Sequence, residues 1–193
     1  LNTVNEKTEA LKQAKNKLKE AASEAARNAL KTSAEALKKA STTNKTPKSV
    51  EAYNQKYEAL KTELERVKTE AENIANKGAD ASKEEVETSQ TAVNRVKQKL
   101  DEAARVLVEQ ADKGKLTTAR NTLDGLTKET DPTPGKTTST VNAYKTAKQE
   151  AEAAVRKADE VIRDQNATAD KVSTALNTVN EKTEALKQAK NKL

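Results

Sequence analysis

The chain has 193 residues and carries 36 Lys and Arg against 30 Asp and Glu, a formal net charge of +6, with no His, Cys, Met, Trp or Phe. Without Cys or His, a disulfide framework, thiol redox chemistry and the usual zinc and copper ligand sets are excluded, and with three tyrosines as the only aromatics any core is made of Leu, Val, Ile and Ala, which bury little area each. Basic and acidic residues are interspersed at helical spacing, which reads as a solvated helix surface and not as a nucleic-acid footprint; no run approaches the ~18 apolar residues of a membrane span, and the first residues lack a signal-peptide pattern.

In chain order, the first predicted helix runs from Asn2 to Ala40, because neither Gly nor Pro occurs before Pro47. Val4, Leu11, Ala14 and Leu18 share one face, and the stripe continues through Ala22, Ala25, Ala29 or Leu30, Ser33, Leu37 and Ala40. At 1.5 Å per residue such a helix is about 60 Å long, so it reads as the last helix of one module becoming the first helix of the next. The polar stretch STTNKTPK (41–48) ends in a start signal, Thr46 as cap and Pro47 at the first helical position. Val50, Tyr53, Tyr57, Leu60, Leu64, Val67, Ala71 and Ile74 then alternate steps of three and four, a seam of coiled-coil type. This helix ends near Asn76, with Gly78 as a left-handed stop.

Ser82-Lys83-Glu84-Glu85 spells a capping box. It opens a third helix lined by Val86, Val93, Leu100, Ala103 and Leu107 and reaching about Ala111. From Asp112 to Lys115 the helix is expected either to continue in weakened form or to kink, because Gly114 costs about 1 kcal/mol relative to Ala. KETDPTPGK (128–136) is the clearest break. Thr137 or Thr138 caps the next helix, lined by Val141, Tyr144, Ala151, Val155, Ala158 and Ile162, with Lys148 where the earlier seam has Tyr57. DQNATAD (164–170) leads into a last helix from about Thr168 to Leu193.

LNTVNEKTEALKQAKNKL (1–18) recurs letter for letter as 176–193, a period of 175 residues. Within it lies an older doubling: Val86, Val93, Leu100, Ala103 and Leu107 have the spacing of Val172, Val179, Leu186, Ala189 and Leu193. The fold expected is all-α, two consecutive three-helix bundles end to end in a rod, the third helix of each continuing into the first helix of the next. Residues 1–18 are then the end of a preceding module's third helix, 19–107 a first module and 108–193 a second.

SVEAYNQKYEAL (49–60), its partner TVNAYKTAKQEA (140–151), the pattern V-x6-V-x6-L-x2-A-x3-L and the opening ADKGKLTTARNTLDGL (111–126) resemble the FIVAR repeats of giant Gram-positive surface proteins. The resemblance implies an extracellular stalk segment of a wall-anchored protein, a spacer that projects an adhesive region. The alternative it implies is a binding module for a host matrix or plasma protein such as fibronectin, acting through repeated weak sites.

Single residues support nothing sharper. Tyr53 and Tyr57 sit on seam positions and are read as core. Asn44-Lys45-Thr46 and Asn166-Ala167-Thr168 match glycosylation acceptors, but each threonine is better placed as a helix cap. No carboxylate pair or calcium loop is visible, so the chain is read as no enzyme, with no catalytic, cofactor or metal residues, no cofactor, and ligand-binding residues unassigned. Expected partners are neighbouring repeats of the same chain and a host matrix protein. No nucleic acid or membrane contact is expected, and the chain is read as a monomer.

Overall fold

The computed structural model describes residues 2–193, and they are all-helical. The helices are α1 (Asn2–Asn16), α2 (Glu24–Glu35), α3 (Pro47–Ala75), α4 (Lys83–Ala104), α5 (Gly114–Thr127), α6 (Thr138–Arg163) and α7 (Ala169–Asn191), with a short 3-10 turn at Gly78–Asp80. Among the described residues the extended pairings are two isolated antiparallel bridges, Ala21 with Ser82 and Lys45 with Glu109. No described helix is long and apolar enough to cross a membrane.

The chain divides into two compact units, Leu1–Ser41 with Ala52–Val106, and Thr42–Glu51 with Leu107–Leu193. The core of the first is a three-helix arrangement: Leu30, Ala34 and Leu37 from α2 and its exit, Leu64, Val67 and Ala71 from α3, and Val86, Val93, Val96 and Leu100 from α4. The core of the second brings Leu116 and Leu123 of α5 against Tyr144, Ala151, Ala154, Val155 and Ala158 of α6 and Val172, Val179 and Leu186 of α7. Small side chains dominate both, which lets helix axes approach closely but limits the area each residue buries.

Several element boundaries lie where local chemistry puts them. α3 begins at Pro47 and stops at Ala75, and Gly78 has the left-handed φ of 60° that glycine tolerates best. Ser82 and Glu85 form the reciprocal capping box: the Glu85 amide donates to the Ser82 hydroxyl at 3.2 Å, and the Ser82 amide donates to the Glu85 carboxylate at 2.9 Å. Thr168 caps α7 by accepting from the Lys171 amide. Thr46 and Thr137 stand at the starts of α3 and α6, but with different chemistry from the expected cap. In the first the Thr46 hydroxyl meets that of Ser49 at 3.0 Å, and in the second Thr137 meets Thr140 at 2.9 Å. Ser49 and Thr140 each donate to the threonine's own carbonyl. The two module copies therefore keep the same hydroxyl pair.

The uninterrupted helix expected from Asn2 to Ala40 does not form, and neither junction carries one helix into the next. α1 ends at Asn16, and the chain runs non-helically to Ser23, which caps α2 by accepting from the Ala26 amide at 3.1 Å. The reason is a competing tertiary pairing. The Ala22 amide donates to the Ala81 carbonyl at 2.8 Å and the Lys83 amide to the Glu20 carbonyl at 2.7 Å, so the backbone groups that a continuous helix would satisfy are satisfied across the unit instead. Restarting at Ser23 also resets the helix phase, so that Leu30 and Ala34 are buried while Ala25 and Ala29 are exposed. α2 stops at Glu35, short of Ala40, whose amide donates to the Tyr53 hydroxyl at 2.7 Å.

The second junction breaks in the same way. α4 ends at Ala104, not near Ala111. The segment after it pairs with the chain ahead of α3, the Thr46 amide donating to the Val108 carbonyl and the Gln110 amide to the Asn44 carbonyl, both at 2.8 Å. Neither the weakened helix nor the kink occurs at Asp112 to Lys115. A full interruption does, and it ends where Asp112 Oδ1 accepts the Gly114 amide at 2.8 Å.

Candidate functional site

The side chains available define what a site here can do. Among the described residues no group of three His, Cys, Asp or Glu could hold a metal ion. The tyrosines are structural: Tyr53 is fully buried, and Tyr57 packs beside it with ring centroids 6.1 Å apart and the Lys39 ammonium 5.1 Å from its own centroid. Asn44, at a left-handed φ of 57°, turns the chain ahead of α3, and the Asn166 side chain accepts the Lys48 amide at 2.9 Å. Both acceptor-pattern asparagines and their threonines therefore have backbone roles.

Among the described residues each unit has an open groove. One in the first unit, of about 860 Å³, lies along α3 and the start of α4, and six of the seven charged residues lining it are paired: Arg66 with Glu70 at 3.1 Å, Lys77 with Glu85 at 2.7 Å and Lys19 with Glu84 at 3.3 Å. Ser89, buried on its floor, has a hydroxyl without a partner. The Lys77 ammonium and the Ser82 cap together hold the Glu85 carboxyl down to about 2 from its usual 4.5, so that groove keeps a carboxylate charge through most of the acid range. The other groove, of about 520 Å³ in the second unit, runs between α6 and α7 over Ala154, Ala158, Val161 and Ala175. Alanines supply three of the small side chains that line it. Neither groove holds a nucleophile beside a base, and neither concentrates charge of one sign.

The most distinctive surface is α1. Val4, Leu11 and Leu18 are 67, 71 and 79% exposed. Their counterparts in the C-terminal copy are Val179, Leu186 and Leu193, the first two only 1 and 2% exposed in the core of the second unit. Local geometry is the same in both copies. Thr8 donates to the Val4 carbonyl and Thr183 to the Val179 carbonyl, each at 2.8 Å, and Glu9 pairs with Lys12 as Glu184 pairs with Lys187. The difference is long-range. Lys182 reaches Glu150 on α6 at 2.7 Å and Lys190 reaches Glu129, just beyond α5, at 2.5 Å, whereas the matching Lys7 and Lys15 make no ion pair among the described residues. The periodicity of the first 18 residues foretold an apolar face, but not that this copy would stay uncovered.

Three-helix units with small apolar cores and paired surface charges make up the described chain. The FIVAR domain profile matches residues 26–101 and 119–187, most of the chain, and the chain belongs to the FIVAR family. Over 105 residues, 54% of this chain, it is 37% identical to the extracellular matrix-binding protein ebh of Staphylococcus aureus strain MW2, and 36% identical to EbhB of strain N315. The match takes in 1% and 3% of the length of those relatives. A solved structure from a study of Embp-mediated Staphylococcus epidermidis adherence to fibronectin aligns over 88% of this chain and 99% of its own, with a TM-score of 0.47 at 23% identity.

Proposed function

We propose that this chain is a spacer segment of a bacterial surface protein, lying outside the cell at the wall and holding a distal adhesive region away from it. In this reading residues 1–18 close a preceding module, 19–107 and 108–193 are two consecutive modules set end to end, and the partners are neighbouring repeats. The observation that carries it is the helix within the 18-residue stretch that recurs after 175 residues, exposed at Val4 and Leu11 in one copy and buried at Val179 and Leu186 in the other. Such a helix is a connector, and its repetition extends an array by whole periods. Small-angle X-ray scattering tests it: a rod profile with a maximum dimension of roughly 100 Å or more is expected, and a compact globule would overturn the spacer.

A second reading is supported by the names of the relatives, extracellular matrix-binding proteins. Here the modules themselves engage a host matrix or plasma protein such as fibronectin, weakly per site and strongly through repetition. Surface plasmon resonance of this chain over immobilised fibronectin decides it. Micromolar binding lost on changing solvent-facing residues of one helix favours the binding module, and a flat response favours the spacer.

A further inference from the structure

We propose that residues 135–140, at the start of α6, are a docking edge for the extended segment that leads into a following repeat of the same protein, a segment with the sequence of residues 19–22. This deepens the reading of the chain as consecutive repeats and rests on it. The spacer fails on a scattering profile and the docking edge on the exchange of named amides, so the two failures are distinguishable. The template for the pairing is already in the molecule. Ahead of α3 the Thr46 amide donates to the Val108 carbonyl and the Gln110 amide to the Asn44 carbonyl, both at 2.8 Å, and the Val108 amide donates to the Ser49 hydroxyl at 3.0 Å. Lys45 and Glu109, opposite each other in this bridge, form an ion pair.

The accepting side recurs ahead of α6, residue for residue. Asn44, Lys45, Thr46 and Ser49 correspond at one constant offset to Gly135, Lys136, Thr137 and Thr140. Asn44 and Gly135 share the left-handed backbone, with φ of 57° and 78°. The hydroxyl pair of Thr46 and Ser49 is matched by that of Thr137 and Thr140, with the same bond back to the threonine carbonyl. Lys136 supplies a cation where Lys45 meets its glutamate. Among the described residues the Thr137 amide donates to no backbone carbonyl. The match with residues 44–49, and not the exposure of the edge, is what identifies the occupant.

The entering side recurs as well. Lys19, Glu20 and Ala21 stand ahead of α2 as Val108, Glu109 and Gln110 stand ahead of α5, and the glutamate is kept. In an extended chain alternate residues direct their backbone groups to opposite sides. Glu20 and Ala22 face the connection between α3 and α4, where the Lys83 amide donates to the Glu20 carbonyl at 2.7 Å and the Ala22 amide to the Ala81 carbonyl at 2.8 Å. Lys19 and Ala21 therefore lie on the other edge, and among the described residues their amides and the Lys19 carbonyl take part in no backbone hydrogen bond. These are the groups that Val108 and Gln110 use ahead of α3. One extended segment thus bonds its own repeat through residues 20 and 22 and the preceding repeat through 19 and 21, as an added strand does. On residues 135–140 the Thr137 amide donates to the carbonyl of the following Lys19, the amide of that lysine to the Thr140 hydroxyl, and the following Ala21 amide to the Gly135 carbonyl. The following Glu20 meets Lys136 and sets the register.

The test lengthens the full chain. Residues 19–107 are added after Leu193, in the order in which they follow residues 1–18, so that the repeat continues in its own phase. Amide hydrogen exchange by NMR is read at Thr137 and at the added copies of Lys19 and Ala21, with Thr46, Val108 and Gln110 as internal references. Relative to the 193-residue chain, Thr137 is expected to exchange about tenfold more slowly. The added Lys19 and Ala21 amides are expected to be slower than the original ones by a similar factor. Lys136→Glu with Thr140→Val in the lengthened chain is expected to remove most of that protection and to leave the references unchanged. Equal exchange at Thr137 in the two chains would overturn the proposal, as would protection untouched by the paired substitution. Protection that grows with protein concentration would also overturn it, because the occupant would then be another molecule. Should the added repeat fail to fold, the chain lengthened by residues 19–23 alone carries the same edge and needs no fold of its own. There the Thr137 amide is expected to slow about threefold, and an unchanged rate would refute the docking edge.

Discussion

Glu85 is where one side chain serves three structural demands at once. Its carboxylate accepts from the Ser82 amide, meets the Ser82 hydroxyl at 3.1 Å and pairs with Lys77 at 2.7 Å, tying the start of α4 to the end of α3. The Lys77 hydrogen bond is the largest of the causes that lower its pKa to about 2 from the usual 4.5. The sign follows from linkage: a group whose folded pKa is depressed contributes stability that is fully present above its unfolded pKa and is lost as pH falls through the folded one. Urea midpoints of wild type are therefore expected to fall between pH 4.5 and about 2 by a component that Glu85→Gln lacks. Parallel pH profiles for the two chains would count against the assignment. Ser82→Ala removes the other half of the box and is expected to cost about 1 kcal/mol at neutral pH, read from the shift in urea midpoint. The SxxE pattern made this site legible from the sequence, because both partners are three residues apart and need no tertiary information.

Helices tell a less local story, and the two copies of residues 1–18 show how much is decided elsewhere. Identical sequence gives identical helix, the same threonine back-bond and the same Glu-Lys pair, so everything within four residues was readable. Burial was not, because it depends on whether α5 and α6 stand opposite. The contrast makes a matched prediction. Leu186→Ala is expected to destabilise the second unit by about 2–5 kcal/mol as buried leucine truncations do, while Leu11→Ala in the same local sequence is expected to stay within about 0.5 kcal/mol. Equal effects in chemical denaturation would mean that α1 is covered in solution. The junctions failed as sequence reading for a related reason. Neither interruption is announced by Pro or Gly at its first residue; each is made by backbone pairs between positions about sixty apart, Ala22 with Ala81 and Thr46 with Val108. Gly114 pointed to trouble at the second junction, but it marks the restart of a helix and not the place where α4 stops.

Across the whole chain, the composition also sets how the protein can be followed. Two small cores built largely of Ala, Val and Leu bury limited apolar area, so each unit is expected near the lower end of the usual 5–15 kcal/mol. The three-helix grouping of each was visible as apolar periodicity, and so was the placement of Tyr53 and Tyr144 on inward faces. With no Trp in the chain, tyrosine emission is the intrinsic fluorescence signal, and its sources separate by unit: Tyr53 and Tyr57 belong to the first, while Tyr144 belongs to the second and is 3% exposed. In a Tyr53→Phe, Tyr57→Phe background, emission reports the second unit alone. Leu123, fully buried at the centre of α5 against α6 and α7, is the position to disturb. Leu123→Ala in that background is expected to lower the stability followed by Tyr144 by about 2–5 kcal/mol, the transfer loss plus the cavity that rigid alanine neighbours cannot fill by rotating. A shift below about 1 kcal/mol would mean that the second unit collapses around the gap, and that its alanine-rich packing is looser than the burial of Leu123 implies.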